Sequence, residues 1–142
     1  MIQYLHSGWA YFTLLIIIFT VFYHFFGLIK EKLYDLKTDF RLALFTVIVT
    51  AIQLLLGIAN YFTSDVPVHI KENGFGQVMK ISDLRLAAVE HPFMGILGFL
   101  FLLYGFRRMY YQPISKRKYL SIIIFYTLAL LLFLSRIPWS KW

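Results

Sequence analysis

The sequence predicts an all-α fold, an integral membrane bundle of four transmembrane helices. Of its 142 residues, 60% are hydrophobic and only 15% are charged, whereas a water-soluble domain carries about 25% charged residues. Four apolar segments reach the roughly 20 residues that a helix needs to cross a bilayer. None of these segments shows the alternating pattern of a membrane β-barrel strand. We therefore expect one transmembrane domain over residues 1–142.

The four predicted spans follow one another along the chain. They run from Tyr4 to Ile29, from Leu42 to Phe62, from Leu84 to Phe106 and from Tyr119 to about Ile137. The longest connection precedes the third span and contains "QVMKISDLR", which predicts a short interfacial helix. The fourth span contains "SIIIFYTLALLLFL". Its large apolar residues predict that it faces lipid or another subunit rather than a site.

Basic residues predict how the bundle is oriented in its membrane. The first and third connections carry nine of the 14 Lys and Arg residues, and none precedes the first span. The positive-inside rule therefore places both termini outside the cytoplasm. Trp9, Trp139 and Trp142 then fall at the outer interface, where an aromatic belt is expected. Since the net charge of +7 flanks membrane spans, nucleic acid is not expected as a partner.

The third span contains two ionisable residues in succession, Glu90 and His91. Such residues are costly inside a membrane and therefore mark candidate functional positions. We expect Glu90 to form an internal ion pair with Arg136, at the outer end of the fourth span. Pro92 follows His91 and lacks the N–H that would bond to the carbonyl of Ala88, which predicts a kink at this level.

Histidines on two spans predict a cofactor site near the outer surface. His6 and His91 lie at similar depths, and small residues, Ala10 on one helix and Ala88 and Gly95 on the other, stand one turn from them. The second span adds a stripe of small and polar residues that is expected to face the bundle interior. This stripe comprises Thr46, Thr50, Gln53, Gly57, Asn60 and Ser64.

Two imidazoles from separate helices are the minimum for bis-histidine ligation of one b-type haem. The predicted metal ligands are His6 and His91, and Arg85 and Arg136 are predicted to bind the anionic haem propionates. The complete set of predicted cofactor-binding residues is His6, Ala10, Gly57, Asn60, Arg85, Ala88, Gly95 and Arg136. No catalytic residue is predicted, which favours an electron-transfer or accessory subunit over an enzyme.

The same residues also support three other functional interpretations. His91 and Met94, three residues apart, are a weak candidate for a copper site. Small residues also serve close helix contacts, as expected of a haem-free accessory subunit in a larger respiratory or other membrane complex. A proton pathway through Glu90, Gln53 and Asn60 is a third alternative. The chain has no cysteine, which excludes thiolate metal sites and covalent c-type haem attachment.

The two remaining histidines receive no cofactor role. His24 lies five turns after His6, and the cytoplasmic halves of the other three spans contain no histidine that would complete a second pair. We therefore expect His24 to be a packing or interfacial residue. His69 is expected in a loop.

Several stretches carry a resemblance to a known family. "HSGWAYF", "RLALFTVIVTAIQLLLGIANYF", "LRLAAVEHPFMGIL" and "LSRIPW" resemble small four-helix membrane proteins of Bacteroidota-type bacteria commonly labelled cytochrome B. More distantly, the layout is similar to that of cytochrome b561-like and copper-resistance-D-like membrane proteins. The resemblance implies haem b binding through His6 and His91 and membrane electron transfer. The partners expected for that activity are other membrane subunits, a quinol or an extracytoplasmic electron carrier.

Overall fold

A computed structural model describes residues 1–139 and confirms the all-α class. Of the three tryptophans predicted at the outer interface, Trp142 lies outside the described residues. The helices are Ile2–Ile29 (α1), Asp39–Thr63 (α2), Val66–Asn73 (α3), Phe75–Lys80 (α4), Ser82–Arg85 (α5), His91–Tyr111 (α6) and Ser115–Ser135 (α7). A π-helical turn, Leu86–Glu90, joins α5 to α6.

Four helical stretches of the described chain are long and apolar enough to cross a membrane: α1, α2, α7 and the stretch Ser82–Tyr111. They match the four predicted spans, although the last helix ends at Ser135, two residues before the predicted end. Their outward faces carry exposed large apolar side chains, including Phe19, Leu55 and Leu100. Such faces are stable only where lipid covers them, so the chain is a multi-pass membrane protein.

The long helices form a closed bundle in which each packs against two neighbours. The α1 helix contacts α2 and α7, and α6 contacts α7 and α2. Because the helices alternate in direction, the start of α1 and the end of α7 lie at one end of the bundle, which we call the termini end. The opposite end we call the loop end, since it holds the α1–α2 and α6–α7 connections. The core occupies the middle and the loop end, with Ile17, Ala43, Leu102 and Ile122 almost inaccessible to solvent.

The fourth span was predicted to face lipid or another subunit rather than a site, but α7 also packs inside the bundle, and its Phe133 lines the cavity described below. One face of α7 is buried against the other helices and includes Tyr119, Ile122, Tyr126 and Ala129. The hydroxyl of Tyr126 donates to the carbonyl oxygen of Ala43 on α2 at 2.9 Å. Hydropathy did not reveal this face because residues that contact lipid and residues that contact protein are equally apolar in a membrane helix.

Helices α6 and α7 approach closely in the loop half of the bundle. A Cβ atom built on Gly105 would lie only 2.5 Å from the Cβ of Phe125 and 3.3 Å from the carbonyl oxygen of Ser121. A Cβ on Gly98 would lie 2.6 Å from the ring of Phe133. These two glycines therefore let the two backbones pack closely, as small residues commonly do in membrane helices.

Replacing Gly105 by alanine is expected to destabilise the bundle by about 1–3 kcal/mol, the usual cost of overpacking a core. The added methyl group would meet Cβ of Phe125, an atom tied to the α7 backbone, so a rotamer change cannot relieve the contact. Thermal unfolding in detergent measures the effect. The matched control is Gly8→Ala on α1, where a Cβ meets nothing within 4 Å. Equal unfolding midpoints for the two variants would contradict the close approach.

Candidate functional site

At the termini end the four spans surround an open cavity of about 940 Å³. Its lining comes from α1, α2, α3, α5, the π-helical turn, α6 and the end of α7. Small residues make the space, since Ala10, Gly57, Ala88 and Gly95 all line it. A Cβ on Gly95 would meet nothing within 4 Å, in contrast to Gly98 one turn deeper. Large side chains thus close the loop half of the bundle, and small ones leave the termini half open.

The cavity brings the rings of His6 and His91 close together. Their ring centroids are 6.1 Å apart and the ring planes are nearly perpendicular, at 87°. His6 comes from the first turns of α1, and His91 is the first residue of α6. The two imidazoles therefore converge from opposite sides of the same space.

The protein holds His91 through its Nδ1 atom. Nδ1 lies 2.9 Å from the carbonyl oxygen of Arg136. A carbonyl oxygen only accepts hydrogen bonds, so Nδ1 carries the proton and donates it. In the neutral ring Nε2 then keeps its lone pair, which is the form that binds a metal.

The irregular backbone before His91 accounts for its placement. Pro92 has no N–H, and the backbone N–H of His91 bonds to Leu86 rather than to the residue four positions back. A π-helical turn, a feature frequent at functional sites, thus lies at the level of the predicted kink. His91 lines the cavity, whereas Glu90, its neighbour in sequence, is not among the lining residues of the described chain.

His6 is held against α2. Its Nδ1 lies 3.1 Å from Nε2 of Gln53, and a Cβ on Gly57 would lie 3.2 Å from its Cε1. Oε1 of Gln53 is buried without a hydrogen-bond partner among residues 1–139. A half-turn of the Gln53 amide exchanges its donor and acceptor ends. Gln53 therefore accommodates either neutral form of His6, including the form with a proton on Nδ1.

Glu90 lies beside the cavity, where it pairs with both predicted propionate partners. Its Oε1 is 2.8 Å from Nε of Arg85, and its Oε2 is 3.4 Å from Nε of Arg136. Arg85 also donates to the carbonyl oxygen of Met79 at 3.0 Å. The predicted Glu90–Arg136 pair is therefore confirmed, and Glu90 engages Arg85 as well. Neither arginine is among the cavity-lining residues that the structure describes.

Arg136 ties the end of α7 to the start of α6 in two ways. Its guanidinium pairs with Glu90, and its backbone carbonyl accepts the hydrogen bond from His91. Glu90 thus pairs with the side chain of Arg136, and His91 donates to the backbone carbonyl oxygen of Arg136. This double contact, which we call the Arg136 latch, positions the His91 ring.

The second-span stripe faces the interior, as predicted. Thr46 and Thr50 are buried, and Gln53, Asn60 and Ser64 line the cavity. Sequence reasoning missed His69, which was expected in a loop but lies on α3 and also lines the cavity. Pro67, at the start of that helix, was the signal that could have identified it. Met94, the second ligand of the copper alternative, does not line the cavity in the described chain.

Substituting Glu90 by glutamine is expected to lower stability by about 1 kcal/mol, a modest amount because all three side chains of the cluster remain partly exposed. The change removes the carboxylate that both Arg85 and Arg136 share. Thermal unfolding in detergent, at low and high salt, checks this expectation, and Glu72→Gln on the exposed side of α3 is the matched control. An unfolding midpoint equal to that of the control would show that the cluster contributes nothing.

Comparison of the chain with protein-family models, with curated proteins and with solved structures finds no match in any of the three. The resemblance to the cytochrome B-labelled family stays a prediction. The features that point to a function are therefore the two histidines and the cavity between the helices that carry them.

Proposed function

We propose that the chain is a b-type cytochrome subunit that binds one haem b between His6 and His91 and takes part in membrane electron transfer. The observation that carries the proposal is the 6.1 Å separation of the two ring centroids at the side of a large cavity. With a metal–nitrogen bond of about 2 Å and about 1 Å more to the ring centre, two imidazoles on one metal have centres about 6 Å apart.

The number of available ligands favours haem over a bare metal ion. No group of three or more His, Asp or Glu side chains suited to a metal exists among residues 1–139, whereas a zinc site uses three or four protein ligands. The copper alternative needs Met94, which lies away from the cavity lining. Haem iron is already held by the porphyrin nitrogens and takes only its axial ligands from the protein.

The size and lining of the cavity also fit such a group. Its volume of about 940 Å³ lies within the range of about 300–1,000 Å³ that is usual for ligand pockets. Ala10, Ala88 and Gly95 offer a small apolar surface beside the two rings, and Asn60 and Ser64 add polar atoms. The bound group would supply one-electron oxidation and reduction.

Residues around the histidines would set their chemistry. The Arg136 carbonyl holds a proton on Nδ1 of His91, which leaves Nε2 available as a ligand and raises its basicity. Gln53 would do the same for His6 with its amide oxygen turned toward Nδ1. Arg136 is better placed than Arg85 to bind a propionate, because it is half exposed and its contact with Glu90 is longer.

The distribution of basic residues supports an orientation for this activity. It places the termini end, with the two histidines, on the extracytoplasmic side of a bacterial inner membrane. Electrons would then pass from a quinol or a neighbouring membrane subunit through this site to an extracytoplasmic carrier. Since the second histidine pair of a two-haem protein is missing, the chain would need a partner for transfer across the whole membrane.

Removal of either proposed ligand is expected to abolish the absorption spectrum of a bis-histidine haem. The full-length protein, produced with excess haem and purified in detergent, should show a sharp Soret band and split α/β bands on reduction. His6→Ala and His91→Ala should lose this spectrum, while His69→Ala, which changes another histidine of the same cavity, should keep it.

Two other outcomes would contradict the proposal. A colourless wild-type protein that co-purifies with other membrane subunits would reject haem binding and support the haem-free accessory subunit. A full low-spin spectrum in His91→Ala would reject His91 as a ligand.

Filling the cavity is expected to reduce haem content without unfolding the bundle. In Gly95→Leu the new side chain would extend from a position where a Cβ meets nothing within 4 Å into the space beside His91. We expect haem per protein to fall at least several-fold, as measured by the pyridine haemochrome assay. The control, Gly8→Leu, has equally open surroundings but does not line the cavity in the described chain. Equal haem content in both variants would place the cofactor elsewhere.

A further inference from the structure

The loop end of the bundle holds a second buried polar cluster, which the proposed function does not use. It consists of His24 on α1, Tyr34 in the α1–α2 connection, Asp39 at the start of α2 and Tyr119 on α7. His24, Asp39 and Tyr119 are each at most 1% exposed. The His24 ring centroid lies 6.0 Å from that of Tyr34 and 5.8 Å from that of Tyr119. We call these four residues the loop-end cluster.

Hydrogen bonds account for only part of this cluster. Oδ2 of Asp39 accepts from the Tyr119 hydroxyl at 2.7 Å and from the backbone N–H of Asp35 at 2.8 Å. Nδ1 of His24 lies 2.8 Å from the carbonyl oxygen of Thr20, so Nδ1 carries a proton and donates it. Among residues 1–139, no partner is present for three buried atoms: Nε2 of His24, Oδ1 of Asp39 and the hydroxyl oxygen of Tyr34.

The three unpartnered atoms include more hydrogen-bond acceptors than donors. With His24 neutral, Nε2 has only a lone pair, and the ionised Asp39 offers a second acceptor in Oδ1. The hydroxyl of Tyr34 carries one proton but is hydrogen-bonded to neither atom. An ionised carboxylate in a buried site is also unfavourable unless a positive charge accompanies it. One additional proton removes both problems, since it either makes His24 the cation that accompanies Asp39 or neutralises Asp39 itself.

We propose that His24 and Asp39 form a buried proton-binding site at the loop end, which takes one proton from the aqueous phase and holds it on the imidazole or on the carboxylate. The site lies close to the aqueous phase, because Tyr34 is half-buried and the following residues, Asp35 and Leu36, are exposed. The binding step adds one proton and its charge, with no electron transfer. The site lies about five turns of α1 from His6, so it is separate from the proposed haem site.

Other titratable groups face the cluster but have their own partners. From α7, Lys118 donates to the carbonyl oxygens of Met109 and Tyr110 and lies 5.6 Å from the ring centroid of Tyr34. Tyr126 donates to a backbone carbonyl on α2. Both residues therefore already donate to backbone carbonyl oxygens, and neither donates to an unpartnered atom of the loop-end cluster.

The remaining neighbours are Tyr23 and Asp35. Tyr23 packs its ring against His24, with 5.7 Å between the centroids, and Lys32 lies over its other side. The backbone N–H of Lys37 and the Thr38 hydroxyl donate to Asp35 and hold the pKa of that carboxyl below its usual value. Since Asp35 is exposed and stays ionised, Asp39 is the carboxyl group that competes with His24 for a proton.

Nitrogen NMR of histidine in the full-length protein in nanodiscs tests the proposal. In a variant that carries His6→Gln, His69→Gln and His91→Gln, His24 is the only histidine, so its signals are assigned without a change in the loop-end cluster. This variant has no haem ligands, which keeps the test independent of the proposed function. The expected result at neutral pH is a proton on Nε2 as well as on Nδ1, or a protonated-carboxyl infrared band that Asp39→Asn removes.

Asp39→Asn supplies the second measurement. It keeps an oxygen for the Tyr119 hydroxyl and removes the charge, so we expect the Nε2–H signal of His24, or the carboxyl band where the proton is on Asp39, to disappear. Asp35→Asn, on the exposed carboxyl of the same connection, should leave that signal unchanged. A wild-type cluster with an unprotonated Nε2 and an ionised Asp39 at neutral pH would overturn the proposal. A His24 signal that responds to exchange of sodium for choline would also overturn it, in favour of a bound metal cation.

Discussion

Water does not reach the hydrocarbon core of a bilayer, so each polar group on these four helices needs a partner inside the bundle. In the middle of the bundle this requirement is met by short side-chain contacts. Thr20 and Thr46 pair through their hydroxyls at 2.6 Å, and Thr50 donates to the carbonyl of Thr46 at 2.7 Å. At the two ends the requirement is not fully met, and it is there that the polar atoms free to bind another group are found.

The two ends differ because the same helix, α6, carries glycines with different surroundings. Gly105 and Gly98 lie against Phe125 and Phe133 of α7, which closes the loop half and the middle. Gly95 lies against open space, which leaves the termini half wide enough for a cofactor. The closely packed loop half stabilises the bundle. The termini half can therefore contain a cavity, although the interior of a protein is usually filled by side chains.

The Arg136 latch explains why Glu90 and His91 occur side by side in an apolar helix. The carboxylate holds the arginine side chains, and the imidazole is held by the carbonyl of the same Arg136. Since Nδ1 donates this hydrogen bond, Nε2 is the ring nitrogen that keeps its lone pair in the neutral form. A residue remote in sequence thus fixes both the position and the chemical form of His91.

The sequence by itself determined the membrane class, the four spans, the inward direction of the second-span stripe and the Glu90–Arg136 pair, because lipid and the need for polar partners act on each helix almost independently. It did not determine which face of α7 is buried, that His69 lies on a helix beside the cavity, or that Tyr34, Asp39 and Tyr119 surround His24. Those facts depend on how each helix is rotated about its axis and packed against its neighbours. Hydropathy does not indicate this rotation, because lipid-facing and protein-facing residues are equally apolar. Only the tertiary structure therefore decided that Gly95 borders an open space while Gly98 is packed. It also brings together His6 and His91, which the sequence had already paired.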